Sequence, residues 1–523
     1  MNPPETYFKS LKVNLLDSRN QFLYVLIVFA LFLVYIFLII NTAWLGDDSY
    51  ITYRTVDNFV NGYGLRWNIA ERVQSYTHPL WLFLLSAVNV FTHEIFFTSL
   101  IVSIVISALA VYLLAFKVSR SYENVLIVLL VVILSKTFID YSTSGLENPL
   151  THLLLVLFGL VYFLGKDDRK KTFILSLITS LILMNRSDII LLVLPVYTYY
   201  LIMNKSYKNY GLILLGFLPF FLWEMFSLIY YGFPFPNTAY AKLNTGIDRI
   251  DLIHQGFLYF YKSFLLDPIL FVIIFIATGF SLIKRNRQYL IFIAGIFLYF
   301  VYTLWIGGDF MSTRFFVAPL LLSLIVLSRI EFRTVGTVYV LVIVTIFIGA
   351  FSFYSTLTEK TADIDEGGIC DERLFYYSES NLMSAFSGVK EPAFIWVKYG
   401  EQVKAQGLTF SKFPNIGFYG YYAGHQCYIL DELALCDPLL SKLPAIKPWR
   451  IGHFKREIPK GYEETLESGI NKIEDPNLAE YYDKILLITR GDQFSPERLK
   501  AIWKINTGQY DYLIQRYISN NNG

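Results

Sequence analysis

Apolar runs long enough to cross a bilayer recur along this chain, and they limit what it can fold into. A span needs about 20 apolar residues, or fewer where a helix is short or broken. Runs that qualify are 22–44, 95–116, 123–139, 149–165, 172–184, 189–203, 211–231, 268–283, 289–306, 314–328 and 335–353. A further stretch, 79–92, is only about 14 residues long and reads as re-entrant or interfacial.

The basic loops 117–120, 166–171, 205–208, 284–287 and 329–333 test this count, because cationic loops stay on the cytosolic side. If 79–92 does not cross, all of them fall on the side of the N-terminus. If it does cross, the later ones alternate wrongly. About eleven spans follow, with the N-terminus inside and the C-terminus outside. Composition agrees: 55% of the residues are hydrophobic and 16% are charged, against roughly 25% charged in soluble domains. Lys9, Lys12 and Arg19 precede the first run, which is too long for a signal-peptide core and lacks a small-residue cleavage site. It reads as an uncleaved first span. With a net charge of +2 and no basic stripe, no nucleic-acid partner is expected.

This topology collects the unusual polar sequences on one face. GDDSYITYR, SGLEN, NRSD, YYGFPFPNTAYAK and GGDFMSTR all fall in outward loops. Residues 354–523 carry charged residues and glycine at soluble-protein frequency, with short hydrophobic runs and prolines such as Pro414, Pro438 and Pro448. The expected architecture is an α-helical polytopic membrane domain, 1–353, with a first outer loop at 45–78, followed by a soluble extracytoplasmic α+β domain, 354–523.

Asp47 and Asp48 stand where the chain leaves its first span. Two adjacent like charges are costly unless something uses them. Transfer of a sugar to a hydroxyl needs a carboxylate, either to take the proton or to stabilise a positive transition state; the alternative is a pair of hydrated helix-end acids. Asp47 ranks slightly ahead of Asp48. Arg54, Arg66 and His78 follow in the same loop and suit a phosphate, although isolated charges are more often solvated. Glu147 in SGLEN and Arg186 with Asp188 in NRSD are either site residues or structural ion pairs. Asn237 and Lys242 follow Pro234 and Pro236, which fix an extended turn. Asp309 and Arg314 flank a Gly307–Gly308 turn; arginine binds phosphate bidentately or snorkels at the interface. In WRIGHFKRE, Arg450 and His453 suit a glycan or a phosphate, and such a histidine is more often structural.

No Gly-rich phosphate cradle is present, so no nucleotide is expected. No cofactor is required, and a divalent cation, if one binds, belongs at Asp47 and Asp48. The three cysteines, Cys370, Cys427 and Cys436, lack C-x-x-C spacing, which argues against zinc. Cys427 and Cys436 form the best candidate disulfide in an oxidising compartment, with three free thiols as the alternative.

Taken together, DDSYITYRTVDNFVNGYGLRWN, YTHPLW, SGLEN, YYGFPFPNTAYAK, GGDFM, ICDERLFYY, DELALCDPLL and WRIGHFKREIPKGY resemble the membrane arabinofuranosyltransferases of the C-type glycosyltransferase (GT-C) superfamily. The nearest resemblance is to those that add terminal arabinofuranose in cell-wall arabinan synthesis, and it runs from about Trp44 to Tyr462. The resemblance implies a polyprenyl-phosphate sugar donor, a plasma (inner) membrane location, and an active site on the extracytoplasmic, periplasmic side. It also implies a catalytic acid at Asp47 or Asp48 and an outer domain that helps bind a glycan or glycoprotein acceptor. One departure stands out: where the family often has R-P-E or R-P-D, this chain has Asn185-Arg186-Ser187-Asp188. Alternatives are transfer of mannose or aminoarabinose by the same class of enzyme, or a lipid-linked sugar flippase. A flippase would need polar residues near mid-span, where Glu224 is the main example.

Overall fold

The computed structural model describes residues 21–358, 364–385, 388–389 and 391–521. The basic N-terminal segment invoked above lies outside them. The described residues are mostly helical. Their first part comprises α1 (Gln21–Asn41), α2 (Asp47–Val60), α3 (Pro79–Thr92), α4 (Ile95–Leu113), α5 (Tyr122–Leu134), α6 (Lys136–Asp140), α7 (Asn148–Leu164), α8 (Arg169–Asn185), α9 (Ile190–Met203), α10 (Tyr210–Tyr230), α11 (Asn237–Leu243), α12 (Arg249–Leu266), α13 (Pro268–Lys284), α14 (Arg287–Ile306), α15 (Val317–Leu327) and α16 (Val335–Thr358). The second part comprises α17 (Glu372–Tyr377), α18 (Leu382–Ala385), α19 (Ile395–Ala405), β1 (Phe410–Lys412), α20 (Phe418–Tyr422), β2 (Tyr428–Leu430), α21 (Tyr462–Ser468), α22 (Pro476–Arg490), α23 (Pro496–Asn506) and α24 (Asp511–Asn521).

Each apolar run read from the sequence coincides with a helix or a broken helix. Among the described residues, five helices are long and apolar enough to cross a membrane, and α12 with α13 makes a sixth if the pair is one span. Five shorter apolar helices accompany them. The chain is a membrane protein. The α12–α13 pair is bent by 101° at Asp267, where Pro268 disfavours helical geometry in the residue before it. The Asp267 carboxylate accepts from Ser135 Oγ at 2.7 Å and from the Thr137 amide at 2.8 Å, which fixes the bend against the start of α6.

The α+β character expected of the outer segment amounts, among the described residues, to one pair of three-residue parallel strands, with Phe410 opposite Tyr428 and Lys412 opposite Leu430. Part of that segment packs against the helices before it, and part of it, from Leu430 to Leu513, packs in a buried cluster largely its own. Tyr376, Val397, Phe418, Ile451 and Phe454 belong to the same buried cluster as the membrane helices. Ile51 and Trp67 of the first outer loop share another cluster with Ile416, Tyr419 and Ile429.

One recurrent polar contact across this junction is a buried arginine donating to backbone carbonyls. Arg498 donates to Ile488 (2.7 Å), Gln493 (2.7 Å), Ile229 (2.8 Å) and Tyr230 (2.9 Å), which joins the end of α10 to α22 and α23. Arg456 reaches Leu443, Phe454 and Ala241. A guanidinium suits this role because its five donors satisfy several otherwise orphaned acceptors at once.

The expected Cys427–Cys436 disulfide is not formed: all three cysteines are free and buried. Pairing of β2 with β1 puts Cys427 Sγ against Ser411 Oγ at 3.3 Å. Cys436 is held in a separate turn whose amides bond the Asp431 carboxylate.

Replacing Arg498 with Met keeps the volume and strips a donor from each of four carbonyls. The expected loss is about 3 kcal/mol or more, read as a lowered thermal midpoint of the purified protein in detergent. An unchanged midpoint would show that the junction is held by apolar packing alone.

Candidate active site

Gly46 precedes α2, so Asp47 and Asp48 form its first turn, where acidic side chains complement the helix dipole. The strand of chain entering that turn is fixed from two sides. Trp44 donates its indole N–H to the Asp140 carbonyl at 2.8 Å and stacks on Tyr376 with ring centroids 6.4 Å apart.

The two acids differ in their partners. Both oxygens of Asp47 accept backbone amides from the outer segment, Gly417 at 3.1 Å and Phe418 at 2.6 Å. Only glycine fits at 417, since a Cβ there would overlap the Asp47 carbonyl. Burial pushes the Asp47 carboxyl up to about 7, with the two amides opposing the shift and the neighbouring Asp48 charge adding to it. Asp48 makes no hydrogen bond within the described residues. Burial raises it too, while Lys242 and Arg314 pull it back.

Both acids line a cavity of about 130 Å³ with Lys242, Phe310, Glu372, Tyr376, Trp396, Arg450 and His453. Phe310 organises the cationic side. Lys242 Nζ lies 5.7 Å from its ring centroid, Arg450 Cζ lies 5.6 Å away, and the His453 ring packs edge-on at 4.3 Å. Among the described residues neither Lys242 nor Arg450 has a carboxylate partner; Arg450 Nε is fixed by the Gly368 carbonyl at 2.8 Å. Burial, reinforced by Arg450 and Lys242, holds His453 down to about 3, so its imidazole is neutral at physiological pH. The cavity therefore sets unpaired carboxylates against unpaired cations across an aromatic wall. That arrangement can bind a sugar between rings, hold an anion, and move a proton.

Other candidate residues meet elsewhere. Glu147, at the start of α7, is almost fully buried. Arg314 Nη2 lies 2.9 Å and 3.2 Å from its two oxygens, Arg186 Nη1 is 3.2 Å away, and His78 Nδ1 is 3.3 Å away. Arg186 also grips Asp188 with two bonds, at 2.8 and 3.0 Å, and Arg314 comes within 3.6 Å of Asp309. Burial would raise Glu147, but the arginines outweigh it and hold the carboxyl at about 2. Burial lowers His78 to about 4, so it is neutral and takes a second contact from Thr52 at 2.8 Å. This group borders the cavity and none of its members lines it.

Arg54, Arg66 and Asn237 are engaged structurally. Arg54 lies over Trp67 and bonds the carbonyls of Trp67, Gly420 and Cys427. Arg66 bonds Tyr230 and Ile69. Asn237 Nδ2 bonds three carbonyls of the 434–437 turn. Among the described residues no group of three or more His, Cys, Asp or Glu side chains is disposed to hold a metal.

Sequence reasoning missed Glu372. It sits in the ICDERLFYY motif, and nothing in its spacing relates it to Asp48. In the fold it is buried in the same cavity, and burial together with the Asp48 charge raises it well above the usual carboxylate range.

No family model matches the chain. It is similar to the terminal beta-(1->2)-arabinofuranosyltransferase of Mycobacterium tuberculosis, with 24% identity over 518 residues covering 80% of this chain and 81% of that protein. Among solved structures it is similar to ArnT from Cupriavidus metallidurans bound to undecaprenyl phosphate, with 14% identity and a TM-score of 0.42 over 80% of this chain and 77% of that one. The curated relative bears out the resemblance read from the motifs, and with it the reading of the chain as a glycosyltransferase.

The site's titration has a stability signature. Asp47 binds its proton more tightly folded than unfolded, so its contribution is full below about 4 and is lost as pH rises through about 7. Glu147 does the reverse: its contribution holds above about 4.5 and is lost as pH falls through about 2. Between pH 4 and pH 7 the wild type should therefore lose a few kcal/mol that Asp47→Asn does not lose. Thermal midpoints of both proteins across that range check this, and parallel profiles would refute it.

Proposed function

We propose that this protein transfers a sugar, arabinofuranose first among candidates, from a polyprenyl-phosphate donor to a glycan or glycoprotein acceptor on the extracytoplasmic face of the plasma membrane. The observation that carries the reading is the cavity in which unbonded Asp48 faces Lys242 and Arg450 around Phe310. The donor phosphate sits between Lys242 and Arg450, the cavity's two cations, which have no carboxylate partner among the described residues. The sugar lies against Tyr376 and Trp396, with its anomeric carbon toward Asp48. Asp48 acts on the acceptor hydroxyl or on the anomeric carbon, and the lipid phosphate leaves toward the cations. Asp47 is a positioning residue that ties the first outer loop to the 417–418 turn, which turns the order read from the sequence round. Glu372 stands beside the acids, its carboxyl pushed up by burial and by the Asp48 charge.

The topology that suits this chemistry is the one read from the basic loops. About eleven spans carry the N-terminus inside, with loop 45–78 and residues 354–523 outside. The relative named above supports arabinofuranose as the sugar. The direct experiment gives purified protein polyprenyl-phosphoarabinose and a panel of acceptor glycans, with release of polyprenyl phosphate as the readout. Transport of the intact donor across a vesicle membrane without any transfer would replace this reading with a flippase.

Two mutational contrasts follow. Asp48→Asn should lower kcat by roughly 10²–10⁴-fold, the usual range for losing a proton-transferring group, with Asp47→Asn losing less. Equal losses would make the two acids one functional unit. Lys242→Ala and Arg450→Ala should raise the donor KM with little effect on stability, because neither side chain has an ion partner. Arg314→Ala should instead destabilise the fold by about 3 kcal/mol, since it removes the nearer of the two arginines that compensate the buried Glu147 charge. Thermal midpoints and KM values measured on the same three variants separate the two classes.

A further inference from the structure

Helices α8 and α10 lie side by side and touch backbone to backbone at Gly216, where a Cβ would collide with the Cβ of Ser176. On the N-terminal side of that contact they bound a cleft of about 700 Å³, far from the cavity described above. Helix α8 runs from this cleft at Arg169 to Asn185, next to the Arg186–Glu147 group. At 1.5 Å per residue, its length puts the cleft about 25 Å from that group, at the opposite, basic end of the apolar helices.

The cleft is charged on one side and apolar on the other. Arg169 and Lys170 come from the start of α8, and Lys208 comes from the turn before α10. Among the described residues none of the three has a carboxylate partner. The acids closest in sequence are occupied: Asp167 pairs with Lys171 at 2.7 Å, and Asp168 accepts the Lys171 amide at 2.8 Å. Phe173, Leu212 and Leu215 complete the lining. Leu215 starts an exposed apolar row on α10 that continues through Leu218 and Leu222 along a helix long enough to span a bilayer. Exposed Tyr210 stands at its mouth, where aromatic residues mark a membrane interface.

A soluble anion needs only the cations. Cations that lead without a break into a lipid-facing apolar row fit a molecule with an anionic head and an acyl tail. We infer that this cleft is a binding site for an anionic membrane phospholipid, its phosphate held by Arg169, Lys170 and Lys208 and its chain laid along Leu215, Leu218 and Leu222. The site is independent of the transferase reading and does not take part in the reaction proposed for the other cavity.

Native mass spectrometry of the full chain in detergent, titrated with phosphatidylglycerol or phosphatidylcholine, tests it. The wild type should retain phosphatidylglycerol preferentially. Arg169→Gln/Lys170→Gln/Lys208→Gln should lose that preference by on the order of a hundredfold, each cation contributing about fivefold near a membrane surface. All three positions are exposed, and an unchanged thermal midpoint confirms folding; should the triple variant fail to fold, Lys208→Gln alone should lose about fivefold. Equal retention of both lipids by the wild type would overturn the proposal, as would undiminished phosphatidylglycerol binding by the folded variant. Displacement by glycerol phosphate at the same concentration would replace the lipid with a soluble phosphate, and stronger retention of polyprenyl phosphate would replace it with the donor's own lipid. Either result overturns the assignment.

Discussion

At the N-terminal end of α7 a carboxylate is almost fully enclosed by protein, and two arginines from separate parts of the chain keep it charged. Glu147 alone would be a severe penalty at that depth, because desolvation of an unpaired ion costs several kcal/mol. With Arg314 and Arg186 in place, four stretches of chain become one unit: the start of α7, the α8–α9 turn, the turn before α15, and the loop carrying His78. None of them can shift without exposing a bare charge in a buried site. The cavity beside them inherits that rigidity, since Asp309 and Phe310 directly precede the stretch that carries Arg314.

The candidate active site draws mainly on two parts of the chain that lie far apart in sequence, with Lys242 and Phe310 coming from stretches between them. The loop after α1 supplies the acids. The segment after 354 supplies the amides that orient Asp47, the Tyr376 and Trp396 rings, Glu372, Arg450 and His453. Neither part holds a complete site. The segment after 354 is accordingly well bonded to the rest: Arg54 reaches Gly420 and Cys427, Arg456 reaches Ala241, and Arg498 reaches Ile229 and Tyr230. A carbonyl capped by a guanidinium needs no water, so the junction stays dry and the cavity wall keeps its shape.

Two kinds of cation thus serve different purposes within a short distance. Arg314 and Arg186 are neutralised by carboxylates and hold the fold. Lys242 and Arg450 lie beside an aromatic ring and, among the described residues, have no carboxylate partner, which leaves their charge available to an incoming anion. A cation–π contact steadies such a side chain at a modest gain of roughly 0.5–2 kcal/mol, small enough that a phosphate can compete for the charge.

Much of this was legible in the residues themselves. Apolar runs dictate helices because a chain in lipid must satisfy its own backbone, and each run is helical in the fold. Asp47 and Asp48 were readable as a pair of acids straight after the first run; that they open a helix of their own, α2, is seen only in the fold. What the residues could not show is which charges pair. Arg314 and Arg450 look alike in sequence; one is bound by Glu147, 167 positions away, and the other is left free. The lesser bonding of Asp48 than of its neighbour, the joining of Glu372 to the acids, and the separation of Cys427 from Cys436 were likewise decided by tertiary packing. The physical reason is common to all of these. Hydrophobic periodicity is a local property that survives in any segment. A charge is paired or free only according to distances of a few ångströms, and those exist only once distant segments have docked.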